Sequence, residues 1–433
     1  MTSSALGAAS RMDVRNRSRE ARNLGGTRAR YSSTVLGGEA PRRLIPLEHV
    51  RACLRIPRSR QGGPARWIEA GGRPRDRASA VHKVLKGPRE SSSVEPIAVS
   101  LRDVESALPV VREVAVRTPT FPFADAHGGE VLLKLESLQR LGAFKVRGTW
   151  NRLASLSGSE RRRGVTTISS GNHGLSLAWS ARRLGLPCTV CVPLGASPGK
   201  VRSIRDLGAR VRRLPRAELV RTHVEERWRS WPETFIHPFA HPATIAGQGT
   251  IGWELAEDAP DVRTVLVPVG GGGLASGIAT AVKGRLPHVR VLGVQAEGAA
   301  PLPEALRTGG SARVEVPRTI ADGIGIGLIL PSMVGILRRA LDGCLLVSDE
   351  EILEAMGDLA REAKVVAEPA GAAAFAAWRR HRADLRPPVA VVISGGNVDA
   401  PVLARALRAS GPRSVRTPSG SSGRRRRSGS GRP

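Results

Sequence analysis

The chain reads as an α/β protein built on open parallel sheets with helices on both faces. Three observations carry this. Short apolar runs alternate with stretches of helical periodicity from about residue 95 to residue 409. The runs are continuously apolar instead of alternating, which marks strands covered on both sides. Several end in turns rich in glycine and hydroxyl side chains, where ligands collect in parallel-sheet proteins.

Taken in order, strands are expected at 130–135, 164–169, 187–193, 262–269, 289–296, 343–347 and 388–394. Helices are expected at 145–156, 172–184, 199–207, 243–257, 273–284, 349–363, 369–380 and 400–408. The flanks differ in composition. Net charge is +29 over 433 residues, but residues 1–94 hold 20 basic and 7 acidic side chains, and 411–433 hold 7 basic and none acidic. The remaining +9 is an ordinary balance for the 95–410 body. Residues 1–94, rich in Arg, Gly and Ser, are expected to be a disordered basic extension, and 410–433, with Arg424 to Arg427, a disordered basic tail. Arginine clusters can bind nucleic acid through counterion release. No aromatic interleaving or known module accompanies them here, so a nucleic-acid partner is not expected. Asp13, Glu20, Glu39 and Glu48 argue against an organellar transit peptide. A further expectation is that the native chain starts between Val81 and Val94.

Four cysteines in a chain this long make no disulfide framework. Cys188 and Cys191 have half the spacing of a zinc site, but they lie in the apolar run Pro187–Pro193 with no second pair, so core packing explains them. No stretch of 18 or more apolar residues is present, and the N-terminus has no signal-peptide core. A cytoplasmic setting with no membrane partner is expected.

Four strand-end turns carry the chemistry. The first is Leu138–Gly148, with Lys145 at a strand-to-helix junction after Gly142 and Ala143. Only seven of the 67 basic residues are lysines, and one stands here between Phe144 and Arg147. A sequence that uses arginine nearly everywhere keeps an amine at this point, as a Schiff-base lysine in a desolvated pocket requires. The second turn is Ser169-Ser170-Gly171-Asn172-His173-Gly174, where hydroxyls and free N–H groups at a helix start suit a carboxylate. Plain N-capping is the simpler account of this turn alone. The third is Gly270-Gly271-Gly272-Gly273, between an apolar strand and a helix. Four glycines cost roughly 0.5–1 kcal/mol each relative to alanine in regular structure, and a backbone nest around a phosphate explains them. The spacing is neither the dinucleotide GxGxxG nor a P-loop. The fourth is Ser394-Gly395-Gly396-Asn397.

An amine, a phosphate nest, a carboxylate site and a further hydroxyl are the inventory that pyridoxal phosphate needs to act on an amino acid. Here the chain resembles the fold-type II pyridoxal-phosphate enzymes (tryptophan synthase beta-like fold), and within them the threonine ammonia-lyase and serine racemase group. Supporting segments are Lys134–Gln139, His237-Pro238-Phe239, Ile245–Thr250, Ala321–Ile324 and Ala367–Gly371, in the order the group has them. The resemblance covers about Val94 to Ala409. It implies a small domain over 164–240 inserted in a larger one over 95–163 and 241–409.

The resemblance further implies that Lys145 bonds the cofactor and later acts as base at the substrate Cα, with Phe144 packed beside the ring. It implies that Asn172 hydrogen-bonds the phenolic oxygen, that Gly270, Gly271, Gly272 and Gly273 hold the phosphate, and that Ser394 faces the pyridine nitrogen. Ser169, Gly171, Asn172 and His173 would receive the substrate carboxylate. A hydroxyl at Ser394 does not keep the pyridine protonated as a carboxylate would, which favours prompt loss of a β-leaving group. The expected reaction is therefore loss of water and then ammonia from L-threonine or L-serine, giving 2-oxobutanoate or pyruvate. The group also implies a homodimer or homotetramer.

Three departures matter. Ala143 stands where a serine is usual. Ser170 stands where many dehydratases have alanine; serine racemases use a serine there as the second acid/base, so a serine or hydroxyaspartate racemase-dehydratase is the alternative. Glu297 matches one ligand of a divalent-cation site found in some members, but Pro301 and Pro303 fall where others would be, so no metal is expected.

Overall fold

The computed structural model describes residues 84–89, 96–126 and 128–409. Thirteen strands are present among these: β1 Val84–Arg89, β2 Thr120–Ala124, β3 Glu130–Lys134, β4 Val165–Ile168, β5 Cys188–Pro193, β6 Arg210–Leu214, β7 Thr234–Phe235, β8 Thr264–Pro268, β9 Arg290–Ala296, β10 Gly310–Val314, β11 Leu328–Ile329, β12 Gly343–Val347 and β13 Val389–Val392.

They form three sheets. The largest has the order β12-β9-β8-β13-β3-β2 and is parallel except for β2, which runs antiparallel to β3. A second sheet, β6-β5-β4-β7, is wholly parallel and is built only from residues 165–235. The third, β1-β10-β11, is antiparallel.

The continuous apolar runs have a direct structural cause. Along β13, Val391 packs into a core with the Asp349–Arg361 and Pro369–His381 helices. Its neighbours Ala390 and Val392 point the other way, into a core with the Pro242–Asp258, Gly273–Arg285 and Pro331–Ala340 helices. A central strand with helices on both faces buries both sets of its alternating side chains, each large aliphatic contributing roughly 1.5–3 kcal/mol. The small sheet repeats the pattern with Val165, Val190 and Val192 packed on the Asn172–Arg183 and Pro198–Asp206 helices.

All seven expected strands and all eight expected helices have counterparts. Six strands and several helices were not anticipated. β6 reads Arg-Val-Arg-Arg-Leu, an edge strand with most side chains outward, so it shows no apolar run. The Leu101–Arg112 helix carries a legible start: Ser100 Oγ accepts from Asp103 N at 3.2 Å while Asp103 Oδ2 accepts from Ser100 N at 2.8 Å. One expectation needs correction. Within 1–94, expected to lack structure, Val84–Arg89 is a strand paired with β10, with Val84 opposite Val314. The rest of that extension and the 410–433 tail lie outside the described residues. Among the described residues no helix is long and apolar enough to cross a membrane.

Candidate functional site

A cavity of about 520 Å³ lies where the C-terminal ends of β4, β8 and β13 meet, and the four turns singled out above all line it. Its walls include Phe144, Lys145, the run Ser169–His173, the run Gly270–Gly273 and Ser394. A site of that volume accommodates a cofactor together with a small substrate.

Backbone hydrogen bonds explain how sequence-distant turns converge. Leaving β3, the chain makes two short 3-10 turns before the Lys145–Ala154 helix. That loop is stitched to the turn after β13: Ser137 N donates to Ile393 O at 2.9 Å, Phe144 N to Ser394 O at 3.1 Å, and Gly396 N to Gly142 O at 2.8 Å. Lys145 and Ser394 are thus held on one rigid seam.

Beneath the seam lies a buried ionic network. The Arg147 guanidinium grips Glu136 (2.8 and 3.0 Å) and Glu254 (2.7 and 3.0 Å), and the fully buried Lys134 pairs with Glu254 at 2.8 Å. Bidentate pairing of this kind fixes the first turn of the helix that begins at Lys145.

Lys145 itself is desolvated. Its Nζ donates to Pro238 O at 3.1 Å and lies 4.9 Å from the centre of the Phe144 ring. Burial lowers its pKa to about 8, against the opposing pull of Glu368. An amine so placed has a far larger neutral, nucleophilic fraction near physiological pH than an ordinary lysine.

The glycine run has a packing explanation beside the one the sequence suggests. A Cβ on Gly271 would lie 2.4 Å from the Phe239 ring, and one on Gly273 would lie 2.7 Å from Phe239 O. Gly272 sits at φ +96°, where a side chain would also strike Leu337. Protein packing behind the turn therefore demands glycine. What faces the cavity is backbone, at the N-terminus of the Gly273–Arg285 helix, with its free N–H groups and positive dipole end. Amine, amide cradle and the Ser394 hydroxyl together match the donor set a phosphorylated pyridine aldehyde requires.

His173 is held by the protein at both ring nitrogens. Its Nε2 donates to Ile236 O at 3.1 Å, which leaves Nδ1 to accept from Thr149 Oγ1 at 3.4 Å. Burial, first, and then the Lys145 charge push its pKa down to about 3. Both ring nitrogens are committed to the protein, so His173 shapes the turn without offering a side-chain donor to a carboxylate. Ser169 Oγ accepts from Gly171 N at 3.3 Å, an internal brace of the same turn. Ser170 lines the cavity.

Residues to which the sequence assigned no role also line the cavity: Lys200, Asp322, Glu368 and Asn397. Lys200 and Asp322 face each other at 3.8 Å. Glu368 is desolvated enough that its pKa rises to about 7, although Asn172 hydrogen-bonds it. One signal for Glu368 was available: it precedes Pro369 at a helix start, yet its side chain does not cap that helix. Glu297 pairs with Arg380 at 3.2 Å, and no group of three or more potential metal ligands occurs among the described residues.

With this geometry in place, the family is defined. The model of the pyridoxal-phosphate dependent enzymes matches residues 111–395, and the chain belongs to that family. Its cofactor is pyridoxal phosphate. The chain is 40% identical over 315 residues to an L-threonine ammonia-lyase of Thermotoga maritima, covering 71% of this chain and 78% of the relative. It is 36% identical to a serine racemase of Schizosaccharomyces pombe, over 70% of this chain and 94% of the other. Among solved structures, a T.th. threonine deaminase superposes with a TM-score of 0.64 at 38% identity, over 69% of this chain and 99% of that one.

Proposed function

We propose that the protein is a pyridoxal-phosphate-dependent L-threonine and L-serine ammonia-lyase. The observation that carries this is the desolvated Lys145 amine, with a pKa near 8, in one cavity with the Gly270–Gly273 amides, Asn172 and Ser394. The similarity to a threonine ammonia-lyase supports the choice of substrate.

When bound, the cofactor supplies the electron sink that weakens the substrate Cα–H bond and lets the β-hydroxyl depart. The chain's own residues do the rest. Amides of Gly270, Gly271, Gly272 and Gly273 would hold the phosphate at a helix start, in the same cavity as Lys145. Asn172 donates to the phenolic oxygen. Ser394 offers the pyridine nitrogen a hydroxyl, which does not hold a proton there, and this restrains electron withdrawal. Ser169, Gly171 and the N–H groups opening the Asn172–Arg183 helix receive the substrate carboxylate. Lys145 Nζ takes the Cα proton. Phe144 and the surrounding walls exclude water from the amine.

Ser170 supports a second reading. A hydroxyl lining the cavity on the carboxylate turn can return a proton to Cα from another direction, which makes a serine or hydroxyaspartate racemase-dehydratase the alternative. We further place the protein in the cytoplasm as a homodimer or homotetramer, following the group it resembles.

The test is to supply pyridoxal phosphate and L-threonine or L-serine, and to measure oxoacid and ammonia together with deuterium uptake at Cα. Oxoacid without D-amino acid supports the lyase. D-product with deuterium at Cα favours the alternative, and neither product contradicts both.

A further inference from the structure

Asn172 is held from the far side of the cavity at both ends of its amide. Its Nδ2 donates to Glu368 Oε1 at 2.7 Å, and its Oδ1 accepts from Asn397 Nδ2 at 2.8 Å. Asn397 Nδ2 also donates to Leu141 O at 2.7 Å. The polarity of this chain is fixed by a group that cannot turn over. A backbone carbonyl only accepts, so the atom of Asn397 facing Leu141 O must be nitrogen. The Asn172 atom facing that nitrogen must then be oxygen, which leaves Asn172 Nδ2 toward Glu368, where a carboxylate accepts. Every amide orientation follows from Leu141.

The backbone is shaped to allow this. Leu141 adopts φ +64°, a conformation unusual for leucine. At Gly142 a Cβ would lie 2.4 Å from Asn397 Oδ1, and at Gly395 a Cβ would lie 2.4 Å from Glu368 Oε1. Glycines at both places admit the two side chains. Glu368 Oε1 is thus aimed away from the helix it precedes and onto Asn172.

We propose that Glu368, together with Asn397, is a positioning pair that fixes the Asn172 amide so that an N–H, and not the carbonyl oxygen, faces the cofactor's phenolic oxygen. The inference rests on the role given to Asn172 under the proposed function. It assigns work to two residues that make no direct demand on substrate. It also explains why the Glu368-Pro369-Ala370-Gly371 and Ser394-Gly395-Gly396-Asn397 segments meet at the carboxylate turn.

The experiment uses the full chain loaded with pyridoxal phosphate and follows the visible absorbance of the bound cofactor against pH, beside kcat and KM. Variants are E368A, E368Q, N397A and the E368A/N397A pair, each checked for folding by thermal melting. With its amide freed, Asn172 can turn its oxygen toward the phenolic oxygen. E368A should then move the pH midpoint upward by about one unit and lower kcat/KM by roughly tenfold to a hundredfold. Because Gln keeps an acceptor, E368Q should show a clearly smaller midpoint shift. N397A should act in the same direction as E368A, and the pair should shift the midpoint no further than the larger single effect. Should E368A fail to fold, N397A tests the same chain from its other end. An unshifted midpoint in E368A or N397A, additive effects in the pair, or E368Q as displaced as E368A would each overturn the proposal. A wild type that binds no cofactor would instead overturn the proposed function, so the two failures are distinguishable.

Discussion

The two parallel sheets divide the work unequally, and they differ in charge as well as size. Residues 164–240, which contain the small sheet, hold 12 basic and 5 acidic side chains. The rest of the 95–410 body holds 28 basic and 26 acidic. Nearly all of the body's positive excess therefore belongs to the segment that supplies the Ser169–His173 turn. The large sheet supplies the Lys145 amine, the Gly270–Gly273 amides and the Ser394 hydroxyl from strand ends locked by backbone hydrogen bonds and a buried ionic network. The lesson is that the Lys145 amine and the Ser394 hydroxyl sit on a seam tied by backbone hydrogen bonds and buried ion pairs. The small-sheet segment reaches the rest of the body through side-chain contacts: Asn172 to Glu368, Asn172 to Asn397, and Lys200 to Asp322.

The sharpest way to break this contrast is at the amine. Replacing Lys145 with Ala should lower turnover by about 10⁴-fold or more, since the proposed function makes one group both cofactor anchor and base; oxoacid assays on folded, cofactor-supplemented protein check this. Next comes the seam beneath it. Arg147→Ala leaves Glu136 buried without a cation and Glu254 with Lys134 alone, and should cost about 3–5 kcal/mol of stability in denaturant unfolding. In the cradle, Gly271→Ala drives a methyl into Phe239 and should cost about 1–3 kcal/mol and weaken cofactor binding, measurable by melting and by cofactor titration. Arg213→Ala on the exposed edge strand β6 should change stability by no more than about 0.5 kcal/mol. A large loss there would undo the contrast between the sheets.

Acidity tests the small-sheet side in a separate way. Burial lowers the pKa of His173 to about 3, of His223 and His241 to about 4, and that of His237 well below its usual value. These imidazoles stay neutral when folded and take up protons only on unfolding, so their contribution is present above about pH 6.5 and is lost as pH falls toward 4. Glu368, with a raised pKa near 7, works in the opposite sense between about 4.5 and 7, but it is one group against four. The melting temperature should therefore fall between pH 6.5 and 4. Capture of pyridoxal phosphate by the cofactor-free chain should quicken as pH rises toward about 8, as the Lys145 amine loses its proton; cofactor titration against pH checks this.

Much of this was legible in the sequence because burial on both faces leaves an unmistakable apolar run, as in β8 and β13, where every residue is buried. Strands with one outward face, such as β6, leave no such run. The site was legible as a set of turns because glycine, lysine and hydroxyls stand out beside strands. What could not be read was which side chains cross from one sheet to the other. Glu368 and Asn397 lie 196 and 225 residues from Asn172, and no local pattern announces a contact at that separation. Nor could sequence tell that Gly271, Gly272 and Gly273 answer to Phe239 and Leu337 behind them, or that His173 spends both ring nitrogens on the protein.

The most direct test is to trap the cofactor on the chain by borohydride reduction in the presence of pyridoxal phosphate and to locate the adduct by peptide mass spectrometry. Lys200 also lines the cavity, so the result discriminates. The account predicts the adduct on Lys145 and its loss in Lys145→Ala. An adduct on Lys200, or none on a folded wild-type protein, would contradict it.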